Sequence, residues 1–367
     1  MKKTLFVLAV MTIAFVGCKK EEAGSEKWPS TPIPTDEIHY TSSDGEIIEP
    51  EYGAFGGGTI VSNTYENGIG IIKFDEPVTS LGHSVFKDCE TLTRIALPGS
   101  ITTIRQWAFN GCKNLVRINI PESVIDFGDA FQYCESLTNI IIPNGVKKIK
   151  SETFWNCTNL SNVNIPNSVT SIGARAFFFC ESLTDITIPN SVTEIGWNAF
   201  YGTNLTKITI PDSVTSIGYN AFEACFNLAS FYGKFASPDN KCLIIDGKLN
   251  SFAAGANTTK YTIPNNVTTI GKYAFAYCRK LESVTIPSSV ISIEEYAFII
   301  CKNLTYIYCQ SIIPPSLGTR PFHNTNTLNP PILENLKAIY VPRASVDLYK
   351  SAEDWSEYID LIQGYDF

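Results

Sequence analysis

A repeat of 22 or 23 residues runs through most of this 367-residue chain. Its phenylalanines fall at nearly equal steps, at Phe86, Phe109, Phe131, Phe154, Phe177, Phe200 and Phe222. The consensus is A-F-x-x-C-x-x-L-x-x-I-x-I-P-x-S-V-T-x-I-G. A fixed period of this length indicates stacked structural units, each of which contacts only its neighbours. The chain is therefore predicted to form one elongated domain, because such a stack escapes the size limit on compact hydrophobic cores.

Each part of the consensus predicts a local structure. In L-x-x-I-x-I the isoleucines alternate with polar residues, which is typical of a half-buried β-strand. Proline ends that strand because it has no N–H to donate to a central ladder. V-T-x-I alternates again and predicts a second strand, after which Gly allows a sharp corner. The segment x-x-A-F-x-x-C is too short for a regular helix and predicts one helical or 3₁₀ turn.

The string I-P-x-S-V-T-x-I-G-x-x-A-F-x-x-C-x-x-L resembles the BspA-like leucine-rich repeats of bacterial surface proteins, over about residues 69–310. This resemblance implies a right-handed leucine-rich repeat solenoid with a parallel sheet on one face. Repeat starts at 69, 92, 115, 137, 160, 183, 205, 228, 258, 281, 304 and 336 give about 12 turns. The fold is expected to be mostly β with short helical or 3₁₀ turns, a β cap at the N-terminal end and a helical cap at the C-terminal end.

The domain boundaries are placed where the sequence no longer matches the repeat consensus. An N-terminal β cap is predicted over 38–66, the solenoid over 67–310 and a C-terminal cap over 311–367. Both caps are expected because an open solenoid end exposes core and unpaired backbone. Within an insertion at about 235–256, an Asp-Gly pair predicts a hairpin. We expect that hairpin to replace the A-F-x-x-C side of one turn, with Tyr261 restoring the strand.

The first residues have the pattern of an export signal. A basic start, an apolar run that ends at Phe15 and small residues before Cys18 are typical of a secretory signal peptide over 1–17. The cysteine at the cut site resembles a bacterial lipobox, which implies lipidation of Cys18 and stable membrane anchoring by several acyl chains. An ordinary signal peptide with a coincidental cysteine is the alternative. Residues 18–37 predict a flexible tether, and their initial KKEE resembles the tag of surface-exposed outer-membrane lipoproteins of Gram-negative bacteria.

Composition and spacing argue against several functions. A net charge of -8 is unlike the basic footprint of a nucleic-acid-binding protein. Most of the 11 cysteines share one repeat position, so they predict a buried, reduced column rather than disulfides or a zinc site, which needs closely spaced ligands. The three histidines, His39, His83 and His323, lie far apart without metal-ligand spacing. The chain is therefore expected to be no enzyme and to hold no metal or cofactor.

The outward positions of L-x-x-I-x-I form the candidate binding surface, because solenoid faces commonly bind ligands and Tyr and Arg are favoured anchors. A merely soluble sheet face is the alternative. Aromatic residues of the turn segments form a second candidate patch, for which packing between turns is the expected role. The candidate ligand-binding residues are Arg94, Arg117, Asn119, Asn139, Asn162, Asn164, Asp185, Lys207, Tyr232, Tyr306 and Tyr308.

Anchor, tether, repeat and the absence of a catalytic pattern together predict a lipid-anchored binding or adhesion protein. Members of the family that the repeat resembles are generally taken to be adhesins, which implies a protein or glycan ligand on host or neighbouring cells. The alternative is a structural or accessory component of an outer-membrane nutrient-uptake assembly.

Overall fold

The repeats fold into stacked turns of a β-solenoid, as the sequence predicts. The computed structural model describes residues 32–51, 55–325 and 331–367. The predicted signal peptide, Cys18 and most of the predicted tether lie outside the described residues. The end of that tether is already attached to the folded domain, because the carbonyl of Thr35 accepts a hydrogen bond from the Val78 N–H at 3.0 Å.

The N-terminal cap is an antiparallel sheet. Its strands are β1 (Glu37–Ser42), β3 (Ile60–Glu66) and β4 (Ile69–Phe74), whereas the short β2 (Phe55–Gly56) lies outside this sheet and pairs antiparallel with Ser80–Leu81. Asn67 and Gly68, both with positive φ, join β3 to β4 in a tight hairpin. Strand β1 then lies between β4 and the first long strand of the solenoid and runs antiparallel to both. The repeat-like segment 69–74 therefore belongs to the antiparallel cap rather than to the parallel stack.

Two columns of parallel strands run along the solenoid. L-x-x-I-x-I gives the long strands and V-T-x-I the short ones, and each pairs with its counterpart one turn away, as Asn139 does with Asn162 and Ser171 with Glu194. The strands up to the insertion are β5 (Ser80–Leu81), β6 (Leu92–Ala96), β7 (Thr103–Ile104), β8 (Arg117–Asn119), β9 (Asn139–Ile141), β10 (Lys148–Ile149), β11 (Asn162–Asn164), β12 (Ser171–Ile172), β13 (Glu194–Ile195), β14 (Lys207–Ile210), β15 (Ser216–Ile217) and β16 (Ser230–Gly233).

The turn segments around Ala-Phe are short turns as the sequence predicts, closed by hydrogen bonds between residues three apart, such as the Phe178 N–H to the Arg175 carbonyl at 3.2 Å, and they do not continue into a regular helix. Arg175 and Phe179 have φ of 53° and 56°, in the left-handed region that a right-handed helix cannot include. Their N–H groups instead donate to carbonyls of the next turn, at 2.9 Å to Trp197 and 2.8 Å to Tyr201. A third ladder of backbone hydrogen bonds therefore connects the turns on this side.

The interior is a stack of phenylalanine rings. Rings of successive turns from Phe86 to Phe222 lie nearly parallel, with centroids 5.3 to 5.7 Å apart. Around them pack the buried leucines, isoleucines and valines of both strand columns. Because each ring of the stack contacts mainly the rings of the neighbouring turns, stability is built up turn by turn.

The glycine after V-T-x-I is required by a close approach of backbone and not by a left-handed corner. A Cβ at Gly196 would lie 2.4 Å from the backbone nitrogen of Ala174, and one at Gly173 would lie 2.5 Å from that of Ser151. Neither glycine has a positive φ. Neighbouring turns therefore meet backbone to backbone at this position.

The predicted hairpin is confirmed. Strands β17 (Cys242–Ile245) and β18 (Lys248–Phe252) pair antiparallel around Asp246-Gly247. The hairpin does not replace the Ala-Phe side of its turn, because β18 occupies the place of a short strand and Phe252 keeps the phenylalanine position, 4.9 Å from Phe275. Beyond it come β19 (Lys260–Thr262), β20 (Thr269–Ile270), β21 (Ser283–Ile286), β22 (Ser292–Ile293), β23 (Tyr306–Cys309) and β24 (Ser316–Leu317).

The C-terminal cap combines helical turns with an unpredicted strand. It consists of β25 (Ala338–Pro342), a 3₁₀ helix (Arg343–Ser345), α1 (Val346–Ser351), a second 3₁₀ helix (Glu353–Leu361) and β26 (Ile362–Tyr365). The helical part was predicted from the apolar spacing, and it buries Tyr349, Trp355 and Tyr358 against the last turn. Strand β26 pairs in parallel with β25 and so extends the long-strand sheet by one further strand.

Candidate ligand-binding face

The outward side chains of the L-x-x-I-x-I segments line one side of the solenoid, called here the strand face. Parallel register aligns Arg94 with Arg117 and Asn139 with Asn162, so residues of the same repeat position stand in columns. Among the predicted site residues, the exposed ones are Arg94, Arg117, Asn119, Asn139, Asn162, Asn164, Asp185, Lys207 and Tyr232. Tyr306 and Tyr308 are half-buried at the C-terminal end of the face.

The polar end of the strand face is exposed and unengaged. Within the described residues, neither Arg94 nor Arg117 forms an ion pair, and the side-chain amides of Asn139, Asn162 and Asn164 make no hydrogen bond. Two guanidinium groups and several amides therefore stand in adjacent turns with their donors and acceptors free. A ligand that binds here displaces water without breaking an internal contact.

The C-terminal end of the face carries a cluster of four tyrosine rings. Tyr340 stacks on Tyr308 and Tyr306, with ring centroids 5.1 and 6.0 Å away. Tyr365 reaches back across β25, and its ring lies 5.4 Å from that of Tyr308 and 5.4 Å from that of Tyr340. The sequence prediction found only the first two members, Tyr306 and Tyr308.

The two tyrosines that the sequence analysis missed differ in whether the repeat pattern could have located them. Tyr340 stands at the second outward position of Leu336-x-x-Ile339-x-Val341, so extending the column by one turn would have found it. Tyr365 lies on β26, which has no repeat pattern and enters the sheet only through the helical cap. No feature of the sequence places it beside Tyr308.

The cysteine column is reduced and internal, as predicted. All ten cysteines of the described residues are free. The Cys180 thiol donates to the carbonyl of Phe154 at 3.2 Å, and the same contact recurs in other turns. Thr203, which replaces cysteine once, donates its hydroxyl to Phe200 of its own turn at 2.9 Å. The position therefore takes a small side chain that can donate a hydrogen bond, and burial raises the pKa of Cys225 to about 12.

The histidines stay in separate local contacts. His39 pairs with Glu37 at 2.8 Å in the N-terminal cap, and the buried His323 pairs with Glu357 at 3.0 Å in the C-terminal cap. His83 is exposed near the start of the solenoid. Across residues 32–51, 55–325 and 331–367, no group of three or more His, Cys, Asp or Glu side chains could hold a metal ion.

The aromatic residues of the turn segments pack against one another between turns. The ring of Trp155 lies 6.0 Å from that of Tyr133, and the Arg175 guanidinium sits 5.3 Å from the Trp155 ring and 4.1 Å from the Trp197 ring. Such cation–π contacts stabilise surface packing by about 0.5–1 kcal/mol each. The aromatic residues on this side of the molecule are therefore engaged in packing between neighbouring turns.

A small cavity of about 230 Å³ on the turn side encloses a carboxyl group. Burial raises the pKa of Glu223 from its ordinary value of 4.5 to about 7, against the opposing effect of Lys272. The Oδ1 atoms of Asn198 and Asn220 line the same cavity and are the buried side-chain oxygens of the described chain that lack a hydrogen-bond partner. The cavity has polar side chains in its lining, and burial there favours the neutral form of the Glu223 carboxyl group.

Replacing this carboxyl group by an amide should stabilise the protein at alkaline pH. Because the folded state binds the Glu223 proton more tightly than the unfolded state, stability falls as pH rises from about 4.5 to about 7. Glu223→Gln is expected to raise the free energy of unfolding by roughly 1–3 kcal/mol at pH 8 and to leave it nearly unchanged at pH 4. Urea denaturation at both pH values measures the difference. An equal effect at both would contradict the assignment, and Glu194→Gln on the exposed short-strand side serves as control.

Comparison with known proteins agrees with the repeat and the fold. The chain is similar to a leucine rich cell surface protein from Faecalibacterium prausnitzii A2-165, with 29% identity, coverage of 84% of this chain and 87% of that chain, and a TM-score of 0.58. A leucine-rich repeat protein from Bacteroides ovatus is 22% identical, over 83% and 90% of the two chains, with a TM-score of 0.42. A search of curated proteins gave no significant match.

None of the helices in the described part of the chain has the length and apolar character needed to cross a bilayer. The family model described as a BspA type leucine rich repeat region matches residues 59–163, 147–234 and 248–341, in 6 copies. These segments cover well over half of the chain and coincide with the stacked turns. The chain belongs to the family of BspA-type leucine-rich repeat proteins.

Proposed function

We propose that this protein is displayed on the cell surface and binds a protein or glycan of host or neighbouring cells with its strand face. The observation that carries the proposal is the set of exposed, unengaged polar side chains from Arg94 to Asn164 on one side of the solenoid, with Arg94 in register with Arg117 and Asn139 with Asn162. The similarity to a leucine rich cell surface protein supports the location. Repeat solenoids use such extended faces for binding.

The strand face suits a macromolecular ligand better than a small one. Its exposed arginines and amides are spread over successive turns, each one strand spacing of about 4.8 Å from the next. An extended partner can contact many turns at once, whereas a small molecule would contact only one or two. Exposed charges of this kind steer association and contribute to specificity more than to raw affinity.

Attachment through Cys18 to the outer membrane of a Gram-negative bacterium is part of the same proposal. The support is the sequence of residues 1–22, which has an export signal, a lipobox-like cut site and a charged tag. Every other cysteine lies within residues 89–309, away from the export signal, and nine of these ten are buried.

The test uses intact cells that express the full chain. Protease added to whole cells should degrade the wild-type protein, and Cys18→Ala should release the protein from the membrane fraction. Arg94→Ala combined with Arg117→Ala should weaken cell binding to immobilised host extracellular proteins or glycans about tenfold. The matched control is Lys147→Ala with Lys148→Ala, which removes two exposed cations at the short-strand sheet.

Three results would count against this function. Protection from protease in intact cells would refute surface display. Membrane attachment that survives Cys18→Ala would refute the lipid anchor. Equal binding by the arginine and lysine variants would refute the strand face as the binding surface.

A further inference from the structure

The last turns of the solenoid enclose a cleft of about 690 Å³, called here the tyrosine cleft. This volume lies in the range typical of small-molecule sites. Its aromatic lining consists of Tyr306 and Tyr308 together with Tyr365, whose ring contacts that of Tyr308, and Phe367. The residues along its polar floor and rim are Lys260, Thr262, Glu282, Ser283, Thr285 and Gln310.

The cleft exists because side-chain size changes abruptly between neighbouring strands. Parallel register places Thr285 of β21 beside Tyr308 of β23, and Tyr308 beside Tyr340 of β25. The step from a small side chain to a ring leaves a hollow over β19 and β21. The repeat therefore forms the floor of the depression, and the C-terminal residues Tyr365 to Phe367 complete its lining.

The ring that borders the hollow is held rigidly. One face of Tyr308 is stacked by Tyr340 at an interplanar angle of 23°, and its edge meets Tyr365 at 73°. Its other side adjoins Thr285, where the cleft opens. A preorganised aromatic surface loses little conformational entropy when a ligand packs on it.

The polar groups around the ring are free and carry little net charge. Within the described residues, the side chains of Thr262, Ser283, Thr285 and Gln310 make no hydrogen bond. Partial burial raises the pKa of the neutral Tyr308 hydroxyl further. Lys260 and Glu282 balance each other in charge, and the Asp366 carboxylate is already paired with Arg343 at 2.9 Å.

We propose that the tyrosine cleft binds a neutral oligosaccharide. One pyranose ring would lay its C–H face on Tyr308, while Ser283, Thr285 and Gln310 exchange hydrogen bonds with its hydroxyl groups. Hydroxyl and amide side chains supply both donors and acceptors, which sugar hydroxyls require. The inference rests on the proposed function for delivery to the cell surface and names the ligand class of a second region of the same face.

A peptide is the less suitable occupant of this site. Extended peptides gain much of their affinity by adding a strand to an open sheet edge. The cleft lies on the face of the sheet, where the backbone groups of β21 and β23 are already paired with neighbouring strands. Recognition here depends on side chains alone, and those side chains are hydroxyl, amide and aromatic.

The experiment screens the full-length protein on an array of neutral and acidic glycans and titrates the best neutral oligosaccharide by calorimetry. Thr285→Tyr fills the hollow without removing any wall and should abolish binding. Tyr308→Ala should weaken binding about tenfold or more, and Tyr308→Phe, which keeps the ring, should retain most of it. Thr187→Tyr, which adds a ring at the same repeat position outside the cleft, is the matched control and should leave affinity unchanged, and circular dichroism verifies that each variant is folded.

The outcomes separate this inference from the proposed function. Binding of a neutral glycan that is lost in Thr285→Tyr but kept in the variant with Arg94→Ala and Arg117→Ala supports the cleft as the binding site. Cell-surface binding that depends on the arginines, combined with no neutral glycan binding, overturns the cleft and leaves the proposed function standing. If the protein instead binds an acidic glycan or a peptide, and Thr285→Tyr abolishes that binding, the proposed class of neutral oligosaccharide ligands is overturned.

Discussion

Replacing Phe154 by alanine is expected to lower the free energy of unfolding by about 3–5 kcal/mol. The ring is fully buried and stacks on Phe131 at 5.7 Å and on Phe177 at 5.3 Å. Removing it leaves a cavity that both neighbouring turns border, and the three backbone ladders prevent those turns from closing it. Urea denaturation followed by circular dichroism measures the loss.

The control for this variant is Phe226→Ala. Phe226 is 43% exposed and contacts Tyr277 and Arg279 at the surface, so its loss should cost less than about 1 kcal/mol. Equal costs for the two variants would mean that the ring stack contributes no more than a surface ring. The comparison therefore isolates the contribution of the interior column.

Replacing Trp355 by alanine is expected to cost about 3–5 kcal/mol and to loosen the C-terminal end first. The indole is fully buried, donates its Nε1–H to the carbonyl of Pro315 at 2.9 Å and packs on Tyr349 at 4.9 Å. Without it, the helical cap loses its main contact with the last turn, and the end of the stack is exposed.

Limited proteolysis with mass-spectrometric mapping tests this expectation. Early cuts in Trp355→Ala should fall within 311–367, while the N-terminal turns stay intact. Trp107→Ala, which removes an indole that is 41% exposed in a turn segment, is the matched control and should resist protease like the wild type. Uniform cutting along the chain would show that the cap does not act as a separate element.

Much of the fold could be predicted because one period carries it. The repeat positions of Phe177 and Val192 hold buried apolar side chains in successive turns. A strand predicted in one turn therefore implies strands in the turns above and below it. The hairpin at Asp246-Gly247 was equally visible, since that pair favours the left-handed residues of a tight turn.

The rest depended on contacts that no local pattern records. The insertion of β1 between β4 and β6 joins segments far apart in the chain, although 69–74 matches the repeat by itself. The left-handed Arg175 and Phe179 were invisible because that conformation normally favours glycine or asparagine.

The candidate site was predictable to the same extent as the repeat. The columns from Arg94 to Lys207 follow directly from the strand period, whereas the tyrosine cleft depends on β26, which lies outside it. Tyr365 and Phe367 complete that cleft from the far side of the C-terminal cap. Part of the cleft is thus formed by an element that lies outside the repeat.

The hairpin also divides the ring stack. Phe222 meets Phe231 edge to face at 5.6 Å, and parallel stacking resumes only from Phe252. In a one-dimensional array, a weakened interface uncouples the blocks on either side. We therefore expect the coupling between the arginine end of the strand face and the tyrosine cleft to be weakest at this turn, although one hydrophobic core runs through both.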